Sequence, residues 1–153
     1  MRAFSATHDD YSNLGVARKL IRFMEAPSQP LPAEDVCMML HLMTILSRRT
    51  DNRDCLASEG GIGVVLQSMR THPTVVTVQQ QGCAALWNLV VKSPGNRVRV
   101  ASQGGVELLI AAMNSFPTET DVQRLGAGVL CSLSSDGTQH CRSSRHGSAR
   151  RIY

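Results

Sequence analysis

Apolar residues recur along the chain at three- and four-residue spacing, as in Val65, Leu66 and Met69, and again in Val78, Cys83, Leu86, Leu89 and Val90. That spacing places them on one face of an α-helix. No segment shows the strict apolar-polar alternation of a half-buried strand. The punctuation between segments sets the helix limits. Gly60-Gly61 follows a short helix at Asn52–Ser58 and supplies the positive φ that ends it. A second helix runs from about Ile62 to Arg70 and stops at His72-Pro73, because a residue before proline avoids the helical region. A third starts near Thr74, which is placed to act as its N-cap, and ends before Ser93-Pro94-Gly95.

This three-helix pattern is repeated. Shifting Asn52–Leu89 by 44 residues onto Asn96–Leu133 pairs Asn52-Arg53 with Asn96-Arg97, Gly60-Gly61 with Gly104-Gly105, and Met69 with Met113. It also pairs Val78-Gln79 with Val122-Gln123 and Gly82 with Gly126, for 14 identities over 38 ungapped positions. The second unit therefore carries helices at Asn96–Ser102, Val106–Asn114 and about Thr118–Ser134. A diverged copy lies upstream, with helices at about Asn13–Glu25 and Ala33–Arg49. There Gly15 and Met24 match Gly60 and Met69 at an offset of 45, while Leu42 and Ile45 match Leu86 and Leu89 at 44. The one-residue difference is assigned to the loop from Pro27 to Pro32. A period in this range is the signature of stacked repeats. The expected organisation is an N-terminal extension (1–12), a repeat domain (13–134, units about 13–51, 52–95 and 96–134) and a tail (135–153).

A short helix, a Gly-Gly turn, a second helix and a longer third helix ending in Gly82-Cys83-Ala84-Ala85-Leu86-Trp87-Asn88-Leu89 resemble the armadillo repeat. The resemblance implies an all-α fold: a right-handed α-α superhelix, or armadillo/HEAT-like solenoid, of about three repeats. It also implies that the third helices line a concave groove for an extended peptide or partner protein. Within the family, the importins that carry nuclear-localisation peptides have an Asn where Asn88 stands and a Trp four residues earlier. Here that earlier position is Ala84, and the neighbouring units hold Thr44 and Ser132 at the Asn place and Leu40 and Gly128 at the Trp place. The groove is carried over from the family, and the cargo-adaptor function is kept only as an alternative.

Composition narrows the function further. The chain carries a net charge of +4, of which Arg142, Arg145, Arg150 and Arg151 against Asp136 account for most, so the basic character belongs to the tail. A nucleic-acid contact is disfavoured for the body and rests on that tail alone. Five cysteines (Cys37, Cys55, Cys83, Cys131, Cys141) without a CxxC pair read as reduced thiols, mostly buried, in an intracellular protein of the cytoplasm or nucleus. No stretch is long and apolar enough for a membrane span.

The residues best placed for a partner are Asn88, with Gln81 and Thr77 earlier on the same helix face and Lys92 one turn onward; an ordinary solvated face would carry the same residues. Trp87 is a large side chain suited either to anchor a partner or to pack into the next repeat. No catalytic set is found. His72 and His41 lack a nucleophile or carboxylate at a recurring spacing and read as loop and core residues. His140, Cys141 and His146 lack the paired ligands of a zinc site, and the Gly-Gly turns lack the Gly-Lys-Ser/Thr of a phosphate loop. No cofactor is expected.

Repeat stacks close with a unit whose outer face is polar. After Leu133 the pattern stops, and Ser148 and Ala149 stand where the next Gly-Gly would fall. The helix that carries Val122, Leu125, Val129 and Leu133 is therefore expected to leave part of its apolar face uncovered, available for self-association through the C-terminal repeat or for a partner. The reading as a whole is a non-enzymatic scaffold or adaptor that binds a protein segment.

Overall fold

The computed structural model describes residues 13–25 and 31–134, and among these the fold is all-α, with no strand. In chain order the helices are α1 (Asn13–Glu25), α2 (Ala33–Leu46), α3 (Thr50–Ser58), α4 (Gly61–Thr71), α5 (Val76–Val90), α6 (Pro94–Ser102), α7 (Gly105–Ser115) and α8 (Thr120–Ser134). The triplets α3–α5 and α6–α8 have bounds that differ by 44 residues at every end. The N-terminal extension, the Pro27 end of the loop before α2, and the tail with its arginines, His140, Cys141 and His146 lie outside the described residues.

The identities between the two triplets are the residues that close each turn. Gly60 and Gly104 have φ of +96° and +74°, a left-handed backbone that glycine adopts without a Cβ penalty. The glycine after each one sits against the preceding short helix. A Cβ on Gly61 would stand 2.6 Å from the Leu56 carbonyl oxygen, and one on Gly105 2.7 Å from that of Val100. Gln79 donates from Nε2 to the carbonyls of Met69 and His72, both at 2.9 Å, and Gln123 repeats this onto Met113 and Phe116 at 2.7 and 3.0 Å. Each glutamine thus satisfies the methionine carbonyl that Pro73 or Pro117, four residues on, cannot reach with an N–H, and adds a second donor to His72 O or Phe116 O, which already accept from Val75 and Glu119 N–H. Asn52 and Asn96 donate in the same way to the carbonyls of Leu46 and Leu89, near the ends of the preceding third helices. Gly82 and Gly126 leave room for Met69 and Met113, whose side chains come within 2.5 and 2.9 Å of where a Cβ would be.

Helix limits differ in detail from the sequence reading. Thr74 is not an N-cap: α5 starts at Val76, and its cap residue, Val75, makes no side-chain capping bond. Pro94 and Gly95, read as a loop, open α6, with Pro94 at the first helical position, where its missing N–H costs nothing. The second helix of the first unit stops at Leu46 rather than Arg49.

Consecutive units pack helix on like helix: α2 lies against α5, α5 against α8, α1 against α4 and α4 against α7. The core runs through all of these, from Ala17 and Ile21 in α1 to Val122 and Val129 in α8, each no more than 1% exposed. Arg53 is buried in the seam after α2 and α5, where it donates to the Ser47 and Val91 carbonyls at 3.4 and 2.7 Å.

The register of the first unit departs from expectation. Leu42 and Ile45 are not the counterparts of Leu86 and Leu89, because they are 36% and 46% exposed while Leu86 and Leu89 are fully buried. The buried set Val36, Leu40, Met43, Leu46 and Ser47 superposes on Gln79, Cys83, Leu86, Leu89 and Val90 at an offset of 43. The Asn52 and Asn96 bonds agree, since their acceptors Leu46 and Leu89 are also 43 apart. In α1 the offset of 45 holds, with buried Ala17 and Ile21 matching Ile62 and Leu66. Counted between matched core positions, the chain entering α2 is thus two residues longer than its counterpart, and the chain leaving it is one residue shorter.

Part of the apolar face of α8 stays accessible. Val122 and Val129 are fully buried, and Leu125 and Leu133 are partly buried against the core. Large exposed apolar side chains cluster instead in the first unit: Val16 and Phe23 on α1, and Met38, Leu42 and Ile45 on α2. Val98 and Ile110 are the exposed ones in the last unit.

Candidate functional site

Successive residues on a helix diverge by about 100°, and on α5 this sends Asn88 and Trp87 to different neighbours. Asn88 donates from Nδ2 to the Thr44 carbonyl of α2 at 2.9 Å. Thr44 O lies at the end of α2, where the Arg48 N–H goes to Ile45 O at 3.3 Å, so it can accept from Asn88 beside the Ser47 hydroxyl at 3.1 Å. Trp87 points the other way, over Gly128 of α8, with ring atoms occupying the space a Cβ would need. Both residues assigned to a partner therefore sit in the seams between third helices. Trp87 keeps partial exposure and packs on the core, and Asn88 is partly buried. The Asn88 Oδ1 carries no hydrogen bond among the described residues.

Gln81 lies one and a half to two turns before Asn88, in the same seam, with Oε1 3.3 Å from Nδ1 of His41 on α2. His41 is exposed and is a seam residue rather than the core residue the sequence suggested. Thr77, one turn earlier, is exposed. Lys92 does not continue this face: α5 ends at Val90, and Lys92 follows in a left-handed conformation with φ of +57°, exposed. The structure thus brings Gln81, Asn88 and His41 together along the α2–α5 seam, puts Trp87 on the α5–α8 seam, and separates Lys92 from both.

The register of α2 also changes which residues stand at the importin-like positions of the first unit. At an offset of 43, Ile45 rather than Thr44 matches Asn88, and His41 rather than Leu40 matches Ala84. Neither restores a Trp/Asn pair.

A cavity of about 440 Å³ opens between α1, α4 and the start of α2, lined in part by Met24, Leu31, Val64, Ser68 and His72. The His72 ring forms one wall. Its Nε2 is 3.1 Å from Leu31 O and its Nδ1 3.2 Å from Ser68 O, so the ring ties the chain before α2 to the end of α4. This matches the loop role read for it.

Among the cysteines, Cys83 is fully buried on α5, and that burial pushes its thiol up to about 12. Cys37, Cys55 and Cys83 are free thiols, as expected. Cys131 is disulfide-bonded, which departs from the reduced state expected of every cysteine. Arg18 of α1 pairs with Glu59 at 2.7 Å, and this bond holds the Glu59 carboxyl below its usual range. Among the described residues no cluster of three metal-capable side chains occurs, and no helix among them is long and apolar enough to cross a membrane.

The sequence reading missed the apolar stripe Met38, Leu42 and Ile45. Its 4-3 spacing was legible, but assigning Leu42 and Ile45 as copies of core leucines concealed its exposure.

The chain is 36% identical over 94 residues to Protein aardvark of Dictyostelium discoideum, a match that covers 56% of the chain and 12% of that protein. The chain therefore spans a small part of the length of this relative. No protein-family model matches the chain, and no solved structure matches it.

Proposed function

We propose that the protein is a non-enzymatic scaffold or adaptor, an armadillo-like right-handed superhelix that binds an extended segment of another protein along a groove formed by its third helices. The observation that carries this reading is the side-by-side packing of α2, α5 and α8, each a third helix of its unit. Such a row presents helix-borne polar groups at regular intervals across several units, which suits a ligand lying across the helices. On this reading His41, Thr77, Gln81 and the free Oδ1 of Asn88 meet the bound segment. Hydrogen-bonding side chains of this kind match the amide groups of an extended backbone, while Trp87 holds α5 and α8 at the spacing the groove needs.

Photo-crosslinking side chains placed one at a time test this in cell extract. Positions His41 and Thr77 report on the third helices, and Asp51 and Ser58, exposed on α3, report on a first helix. Protein adducts should form at the first pair and not at the second. Adducts spread evenly, or confined to α3, would overturn the groove assignment.

A further inference from the structure

The exposed stripe on α2 has a definite orientation. At the offset of 43, Asp35, Met38, Leu42 and Ile45 correspond to Val78, Gln81, Ala85 and Asn88 of α5. In α5 that stripe faces the preceding third helix, because Gln81 reaches His41 and Asn88 reaches Thr44 there, and Val78 and Ala85 are fully buried. By the same geometry the α2 stripe faces away from α5. Met38 is 72% exposed, Leu42 36% and Ile45 46%. An apolar row of this kind on an outer helix marks an interaction surface.

The residues on that row argue against covering by another repeat of the same design. Where α5 carries small Ala85, α2 carries Leu42, and where α5 carries the hydrogen-bonding Gln81 and Asn88, α2 carries Met38 and Ile45. A third helix approaching as closely as α2 approaches α5 would be overpacked at Leu42.

The charges at the two ends of α2 identify a better occupant. Glu34 and Asp35 lie in its first turn, and Arg48 and Arg49 follow its last turn; all four are exposed. None of the four is in an ion pair among the described residues, where the pairs are Arg18–Glu59 and Arg124–Asp121. The helix therefore reads acid, apolar, base. Turned end over end, this order is its own complement. We propose that the protein forms a twofold dimer in which α2 packs antiparallel against α2 of a second copy. Leu42 then meets its own mate near the axis, Met38 meets Ile45, and Glu34 and Asp35 of each copy meet Arg48 and Arg49 of the other. The two helix dipoles also oppose each other. A twofold contact needs one self-complementary patch, which this stripe supplies.

A helix of 14 residues offers less surface than a standard interface, so the dimer belongs to the weak class, and its concentration dependence should be visible by sedimentation equilibrium between about 10 µM and 1 mM. Leu42→Asp, which sets two carboxylates face to face at the axis, should raise the dissociation constant at least tenfold or so. Its helical circular dichroism and unfolding midpoint, measured alongside, establish that the variant is folded. A charge-exchange pair then tests the antiparallel arrangement. In Glu34→Arg/Asp35→Arg, basic groups face basic groups at both ends, and in Arg48→Glu/Arg49→Glu, acidic groups face acidic groups. Each should be monomeric alone, and an equimolar mixture should form heterodimers, because every end contact is then attractive. The four-site variant should dimerise with itself. A parent protein that stays monomeric throughout the range overturns the proposal, as does a dimer that Leu42→Asp leaves intact, or a mixture of the two charge variants that stays monomeric. The outcome is independent of the groove reading, because Met38, Leu42 and Ile45 face away from α5, whereas His41, the residue of α2 assigned to the groove, faces Gln81 of α5.

Discussion

The ring of Trp87 occupies the space that any side chain at Gly128 would need: a Cβ there would lie 1.2 Å from Cζ3, 2.1 Å from Cε3 and 2.3 Å from Cη2. The two residues form a lock between α5 and α8, in which the largest side chain of one helix is admitted by the absence of a side chain on the next. In the α2–α5 seam a hydrogen bond from Asn88 to Thr44 O crosses instead. Adjacent residues of α5 thus hold its two neighbours by different chemistry, one through packing and the other through a hydrogen bond.

Gly128→Ala should therefore destabilise the fold, even though alanine is the better helix former by about 1 kcal/mol. The methyl has no free volume, so Trp87 must move, at a cost of about 1–3 kcal/mol for overpacking. In a Trp87→Leu background the same substitution should cost little or be stabilising. Urea unfolding of the four proteins gives the coupling energy, which should exceed about 1 kcal/mol. Additive effects would show that the contact between ring and glycine does not govern the site.

Much of this architecture is legible in the sequence because the residues that repeat are those with the fewest substitutes. Gly60 and Gly104 need a left-handed backbone, Gly61 and Gly105 need the space of a missing Cβ, and Gln79 and Gln123 each reach two carbonyls with one amide. Such positions keep their identity between units and disclose the period. The candidate site is less legible because it is built from positions that do not repeat. Trp87 and Asn88 become Cys131 and Ser132 one unit on, and nothing in the chain order says that one faces α8 and the other α2. The register of α2 was hidden for another reason. The chain between core positions is longer before it and shorter after it, so leucine-rich stretches can be matched in two ways, and only burial distinguishes them.

The paired glutamines predict a graded response. Gln79 is 1% exposed, and its amide satisfies both Met69 O and His72 O. Gln79→Leu keeps the volume and leaves the buried Met69 O without a donor, while His72 O keeps the Val75 N–H at 3.3 Å, so it should cost about 1–3 kcal/mol. Gln123 makes the same bonds from a partly buried position, where water can replace the amide, and Gln123→Leu should cost less. Gln67→Leu, on an exposed position of α4, should stay within about 0.5 kcal/mol of the parent. Thermal or urea unfolding measures all three. Equal losses at positions 79 and 123 would mean that burial of the carbonyls does not set the energy.

Cys83 predicts how the fold responds to alkali. Burial raises its thiol from the ordinary value of 9.0 to about 12, because the apolar surroundings oppose the thiolate. In the unfolded chain the thiol ionises near 9, whereas in the folded protein it holds its proton well beyond that. A raised folded value means that the stability linked to this proton is fully present below pH 9 and is lost as pH climbs from about 9 towards 12. Cys83→Ala removes that dependence and adds a fixed cost for the smaller side chain. The stability gap between parent and variant should therefore be constant from pH 7 to about 9 and shrink above it, as read from urea midpoints in matched buffers. Thiol labelling at pH 8 gives the companion measurement: Cys37 and Cys55, which are partly exposed, should react at least about tenfold faster than Cys83, because the thiolate is the reacting species. A gap that stays constant up to pH 11, together with comparable labelling of all three, would place the Cys83 thiol in contact with solvent and break the α5 core as described.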